Sequence, residues 1–264
     1  MAEAYLVREA PVIHWAAPHR RLQLGTLVAL LGIWEAVSAS GLLYRGVIPS
    51  AVLIAASLLT MLADQSFWFH LSVTVSEIGL AVMLGGGLGV AIGLVLGSNR
   101  FLGAAFGPYV IYLASTPKII LLPIIYLMVG IGPSSKVVVG SIACFMPMAL
   151  STVSGVRQMS PVLTRVGRSF GLTVGQMVCK IYLPAMVVPI ANGLRIALGS
   201  AIVLCLVAEI KFSNMGIGHM VIDGYNRSRF ADVYAALIVI TTLALIGNTL
   251  IDRFAHRWGA LAPR

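Results

Sequence analysis

Charged side chains are scarce where this sequence is apolar, so those that do occur there are the first candidates for chemistry. Glu35, Glu77, Lys118, Arg195 and Glu209 each lie inside or at the margin of a long apolar run. In such a setting an ionisable group costs a few kcal/mol unless it faces protein or water, and it marks a site by default. A membrane-embedded enzyme would bring two or more acids, histidines or a nucleophile to one depth. A proton-coupled carrier would need paired carboxylates. The spacings here offer neither set. On one helix, Arg195 and Glu209 would be about 21 Å apart along the axis, near opposite ends and unable to pair. The plainest reading of both is a side chain reaching the nearer interface, and Lys118 reads in the same way. The functional alternative is a translocation path, for which Lys118, Arg195 and Glu209 are the candidates.

Other chemistries have less support. His14, His19, His70, His219 and His256 are scattered over tails and loops, and none pairs at ligand spacing. Cys144, Cys179 and Cys205 read as small core residues, not as a disulfide frame or a metal site. The sequence contains no GxxxxGK[ST] loop, HExxH, CxxC or GxSxG, so this chain has no nucleotide-binding loop of that kind. No cofactor and no metal is expected on it.

The elements that position these residues follow from composition. The chain has 264 residues, of which 59% are hydrophobic and 10% charged, with a mean hydropathy of +0.96. A soluble domain is about one quarter charged. Several runs reach the roughly 20 apolar residues that cross a bilayer. Continuous apolar runs mean helices, because membrane strands alternate polar and apolar. The expected fold is all-α and polytopic, one membrane domain over 22–252 with six spans, at 22–43, 72–96, 102–128, 135–154, 185–210 and 232–251. Residues 1–21 form a tail and 253–264 a basic tail. The sequence around VSAS-Gly41 faintly resembles a signal-peptide cleavage site, but its apolar stretch exceeds a signal core of about 7–15 residues, so an uncleaved helix is expected. A helix at 51–62 is expected to lie on the far face of the membrane, followed by Trp68 as an interface anchor.

Gly85, Gly89, Gly93 and Gly97 recur every four residues and form one stripe in the second span, suited to close helix packing. Pro108, Pro117 and Pro123 should kink or break the third span. Residues 211–231 read as an outside loop. The net charge of +9 points to a topology and not to nucleic acid. Arg8, Arg20, Arg21, Arg100, Arg157, Arg165, Arg168, Lys180, Arg253, Arg257 and Arg264 fall on one side. They outnumber Arg45, Lys136, Lys211, Arg227 and Arg229 on the other. The positive side is the cytosol, so both termini are expected inside.

This topology puts the longest polar break, Ser160–Pro184, in the cytosol, within a region spanning 155–184. Ser160 is a good N-cap with Pro161 at the first helical position. Gly171 is placed to end that helix, and Thr173 with Gln176 fits a capping box that starts another. Val162, Leu163, Val166 and Phe170 share one arc of the first helix. Arg165, Arg168, Ser169 and Thr164 share the other. One use for such an amphipathic basic element is to lie on anionic headgroups.

The spacing of this break also resembles the cytosolic signature E-A-A-x3-G-x9-I-x-L-P of binding-protein-dependent permeases of ATP-binding cassette transporters. Arg165-Val166-Gly167 occupies the E-A-A place. Gly171 follows after three residues, and nine more lead to Ile181, Tyr182, Leu183 and Pro184. The acid is replaced by Arg165, and Gly167 alone keeps the small size. Ser115-Thr116-Pro117, Leu122-Pro123, Gly130-Ile131-Gly132 and Ser135-Lys136 resemble the family's third span and turn. Gly193–Gly199, Ala208-Glu209 and Gly216-Ile217-Gly218 resemble its fifth span and following loop. The combination is similar to the nitrate, sulfonate and taurine branch over about residues 70–257, with Glu77 where a basic residue is the pattern.

The resemblance implies a type I importer permease fold in a bacterial plasma (inner) membrane. It implies a coupling helix that docks on a separate ATPase subunit carrying ATP and Mg. The residues it assigns to coupling are Val162, Arg165, Val166, Gly167, Arg168, Ser169, Phe170, Gly171, Leu172, Ile181, Leu183 and Pro184. It further implies a second permease copy, an extracytoplasmic solute-binding protein and a small anionic solute. A self-sufficient carrier or channel is the alternative, and a membrane-embedded enzyme a third reading.

Overall fold

The computed structural model describes residues 18–41 and 46–259. Most of the expected N-terminal tail, the end of the first span and the last residues of the basic tail lie outside them, as do Arg8, Arg45 and Arg264. The described chain is helical throughout its length.

Helix α1 (Pro18–Ser40) leads to α2 (Ala51–Ala63), whose N-cap is Ser50. Glu35 in α1 is not a stray charge: its Oε1 accepts from the Ala51 backbone N–H at 3.1 Å. A carboxylate at a helix N-terminus meets both an unpaired donor and the positive end of the dipole. Trp34 Nε1 donates to the Pro49 carbonyl at 3.1 Å, further fixing this corner. Helix α2 packs on the last helix of the chain.

Helix α3 runs from Gln65 to Ser98, so it begins earlier than the expected 72, and Trp68 lies within it. Asp64 is the reason, since its side chain caps the helix by accepting from the Ser66 backbone N–H at 2.9 Å. A bond from the Ser66 hydroxyl, and after it that capping bond, holds the exposed Asp64 carboxyl below its ordinary range. One π turn, Val82–Gly86, interrupts α3.

The expected third span is two helices, α4 (Arg100–Ser115) and α5 (Lys118–Val129), bent by 88° at the break. The break falls at Thr116-Pro117, where proline has no N–H to continue the ladder. Pro108 is accommodated inside α4. Helix α6 (Pro133–Gln158) follows, with Pro147 inside it. It continues past the expected end at 154, so the polar break begins at 159.

After a hairpin described below come α9 (Val187–Phe212), α10 (Ile217–Asn226) and α11 (Phe230–Gly259). The labels α7 and α8 belong to the hairpin. Two further differences from expectation lie in this part of the chain. The outside loop contains a full helix, α10, and the basic segment after 252 continues α11 as helix to Gly259.

The bundle centre is made by α3, α6 and α9, joined through Ile78, Ala81, Cys144, Met148, Ala197, Ala201 and Cys205. Small residues permit the approach. A Cβ on Gly89 would lie 2.6 Å from Met148 Cβ, one on Gly93 2.5 Å from Thr152 Cβ, and one on Gly97 2.7 Å from Val156 Cβ. Gly85 abuts the Ser141 backbone still more closely. The stripe on α3 therefore lies on α6 along its length. The partners rise in number with the glycines, so α3 and α6 run parallel. The intervening chain must then return across the bundle, and the bent pair α4–α5 makes that return. On α9 the order reverses: Gly193 meets Ser151, and Cys144 Sγ donates to the Ala197 carbonyl at 3.3 Å. Helices α6 and α9 are antiparallel. Among the described residues, five helices are long and apolar enough to cross a membrane, six with the bent pair taken as one.

Candidate functional site

The hairpin at 159–186 is built from local signals. Ser160 caps α7 (Pro161–Ser169), its hydroxyl accepting from the Val162 backbone N–H, with Pro161 at the first helical position. Gly171 has φ +64°, in the left-handed region that favours glycine. There the Leu172 N–H donates to the Gly167 carbonyl at 3.1 Å and the Gly171 N–H to the Arg168 carbonyl at 3.0 Å. This is the Schellman pair that satisfies the last carbonyls of a helix. Thr173 and Gln176 then form a reciprocal capping box at the start of α8 (Val174–Met177). A π turn, Val178–Tyr182, returns the chain towards α9.

The two limbs close at Gly167. It is the buried residue of α7, and a Cβ there would lie 2.5 Å from Ile181 Cδ1 and 2.7 Å from Met177 Sδ. Its small size is set by this contact within the chain. The residues assigned to coupling thus divide. Leu172, Ile181, Leu183 and Pro184 are half-buried along the returning limb, while Val162, Arg165, Val166, Arg168, Ser169, Phe170 and Gly171 are exposed. Of the apolar arc Leu163 is half-buried, but Val162 is 57% exposed, Val166 45% and Phe170 78%, and Val174 at the start of α8 is 84% exposed. The arc stands at the end of the bundle, beyond α6, with charged Arg165 beside it.

At the other end of the bundle three charged groups face inward. Glu77, Lys136 and Glu209 are fully buried. Lys136 Nζ donates to Glu77 Oε1 at 2.9 Å and to Ser213 Oγ at 2.7 Å. Lys136, expected at an outside turn, is therefore an internal ion-pair partner, and Glu77 is its counter-charge. Glu209, expected to reach an interface, instead accepts from Thr74 Oγ1 at 2.7 Å and from the Gly218 backbone N–H at 2.6 Å. Thr74, the partner of Glu209, lies three residues before Glu77 on α3, so the chain brings two buried carboxylates to one end of the bundle. The spacing could not reveal this, because they come from separate helices.

These groups cap α10 from a distance. Its N-cap, Gly216, has no side chain to offer. The Gly216 N–H donates to His70 Nδ1 at 3.0 Å, the Ile217 N–H to Thr74 Oγ1 at 2.8 Å and the Gly218 N–H to Glu209 Oε2 at 2.6 Å. Three orphan donors of one helix start are met by α3 and α9. Glycine at 216 and 218 leaves room for the Glu209 side chain, which crowds both positions.

The three path candidates are not brought together. Arg195 lies at the opposite end of α9 from Glu209, paired with Asp252 and hydrogen-bonded to Asn192 at 2.9 Å. Lys118 sits in the bend after α4 and donates to the Ala114 carbonyl at 2.8 Å, an acceptor released by the proline break. Among the described residues no hydrogen bond or ion pair joins Lys118, Arg195 and Glu209, and no three His, Cys, Asp or Glu gather into a metal-holding group. Cys144 and Cys205 are buried and unpaired, and Cys179 is exposed.

Residues 85–259 match the family described as binding-protein-dependent transport system inner membrane component. The taurine transport system permease protein TauC of Escherichia coli is 28% identical over 242 residues, 89% of this chain and 88% of that protein. The nitrate import permease protein NrtB of a Synechocystis species is 27% identical over 191 residues, 72% of this chain and 68% of that protein. An inward-facing structure of the MetNI methionine ABC transporter superposes with a TM-score of 0.56 at 20% identity. It covers 76% of this chain and 97% of that one, a likeness of fold.

Proposed function

The chain belongs to the family of binding-protein-dependent transport system inner membrane components, and from that premise we propose that it takes up a small anion of the sulfonate, taurine or nitrate type as the membrane-spanning subunit of an ATP-driven importer. The relatives named above carry such solutes, and the present chain is similar to them over most of its length.

The observation that carries the mechanism is the bare apolar arc of a hairpin whose helix ends are all satisfied. A face with Val162, Val166 and Phe170 this exposed, on a hairpin that stands outside the long apolar helices, calls for a partner. We assign that partner as the ATPase subunit, which holds ATP and Mg. Closure of two ATPase subunits would push on α7. The hairpin is tied to α6 at Ser160 and to α9 through Pro184, so the push passes to both. Gly167 and Gly171 keep its two limbs at a fixed angle. The same reading places the hairpin and both termini in the cytosol, a second permease copy across the path, and a solute-binding protein at the α10 end. Of the path candidates, Arg195 has a carboxylate partner in Asp252 and Glu209 is buried in the cap of α10, whereas Lys118 is bonded to a backbone carbonyl of its own bend. Lys118, half-buried in a broken helix, is the cation we assign to the path.

Reconstitution with the ATPase and binding protein tests this. Uptake into liposomes should need all three components and ATP. Uptake by the chain alone would establish a self-sufficient carrier instead.

A further inference from the structure

Three exposed arginines, one of them Arg168 of the hairpin, line one cavity. It has a volume of about 690 Å³ and lies between the end of α3, the start of α4, the end of α6 and the inner side of α7. Arg100, Arg157 and Arg168 line it from three separate helices, and among the described residues no aspartate or glutamate lines it. Among the described residues, none of the three forms an ion pair, whereas Arg195, Arg227 and Arg229 all do. Like charges on three elements repel, so an arrangement of this kind is stable only with water or a counter-charge between them.

The cavity has the polar groups to orient an anion and the walls to hold something apolar behind it. Ser98, Thr164 and Tyr182 add hydroxyls to the arginines. Gly103, Ala104 and Gly107 make one wall flat, and Arg157 lies along it: a Cβ on Gly103 would be 2.9 Å, and one on Gly107 4.0 Å, from Arg157 Nη2. Leu96, Pro108, Val156 and Ile111 supply the apolar side. Ile111 is 55% exposed, so the cavity opens onto the apolar outer surface of α4.

We propose that this cavity binds the phosphate of an anionic phospholipid headgroup, with Arg100, Arg157 and Arg168 around the phosphate and the acyl chains along Ile111 and α4. Guanidinium forks match phosphate oxygens in geometry and charge. A free inorganic oxyanion shares that chemistry, but it would leave the apolar side and the opening towards α4 without a role. The volume is within the range of about 300–1,000 Å³ for small-molecule sites. The anionic leaflet is the cytoplasmic one, so the side of the membrane rests on the proposed orientation, while the convergence of the arginines does not.

The test is lipid retention by the intact, purified transporter, read by native mass spectrometry, which needs neither transport nor orientation. The probes are phosphatidylglycerol, phosphatidylcholine of the same chains, and inorganic phosphate. Phosphatidylglycerol should be retained in preference to phosphatidylcholine. R100Q combined with R157Q should reduce its retention by about tenfold or more, from the loss of charged hydrogen bonds. R157K should keep part of it. If the double variant does not assemble, G107L serves: it fills the cavity from a position where a Cβ meets only Arg157 Nη2, and it should also displace the lipid. Equal retention of the two lipids, or unchanged retention in R100Q/R157Q and in G107L, would overturn the proposal. So would occupation by millimolar inorganic phosphate with no lipid preference. Loss of the ATPase in place of lipid from the double variant would reassign the cavity to the docking surface and equally overturn it.

Discussion

The helix at Pro161–Ser169 and the helix at Ile217–Asn226 start by opposite means. The first is capped by its own neighbours: Ser160 before it, the Gly171 turn after it, and the Thr173–Gln176 box for the helix that follows. The second has a bare glycine at its N-cap and takes its acceptors from His70, Thr74 and Glu209 in two other helices. A self-capped hairpin can project from the bundle and stay stiff, which suits an element that must carry a push. A helix capped by the bundle is fused to it and cannot move without breaking buried hydrogen bonds. The end with the hairpin presents apolar surface outward, and the end with α10 buries the charges of Glu77, Lys136 and Glu209 inside the bundle.

Substitutions at the two ends should therefore differ in kind. The largest loss of stability is expected for Lys136→Met, which leaves Glu77 without its buried partner and should cost about 3–5 kcal/mol. Thermal unfolding of the detergent-solubilised protein would register it. Adding Glu77→Leu should recover much of the loss, and failure to do so would mean that the pair is not a unit. Thr74→Val comes next. It keeps the shape but orphans the buried Ile217 N–H, for a cost of about 1–3 kcal/mol, with faster hydrogen exchange at the start of α10.

At the hairpin, Gly171→Val should cost about 1–2 kcal/mol for a left-handed residue with a Cβ, leaving the unfolding of the bundle close to that of the parent. ATP-driven uptake, however, should fall to background, and Gly171→Asn should retain part of it. Thr173→Ala is the mildest, about 1 kcal/mol for an exposed cap, visible as faster exchange within 174–177 alone. If Thr173→Ala destabilised the whole bundle as Thr74→Val does, the contrast between the two ends would not hold.

What could be read in the sequence follows the same division. The hairpin's caps and its turn were legible because each signal lies within a few residues of the bond it makes. A kink or break in the third span was legible from Pro108, Pro117 and Pro123, but not that it falls at Pro117 or that its angle is 88°. Lys136 looked like a surface residue because it follows Gly132-Pro133 at a turn, and Glu77 lies 59 positions away. Glu209 looked like a side chain reaching an interface because it is near a helix end. Helix α10 was hidden in an expected loop because Gly216 gives no capping signal of its own. The glycine stripe was visible as a period of four, but the helix it lies against, α6, and their parallel course came only from the fold.

The central claim is that the exposed arc of α7 is where an ATPase subunit docks. The most direct measurement is co-purification of that subunit with Val166→Asp and Phe170→Asp variants, both at positions already exposed, in parallel with ATP-driven uptake. The expected result is a folded, membrane-inserted permease that no longer retains the ATPase and no longer transports. Full retention of the ATPase and undiminished uptake in both variants would contradict the claim.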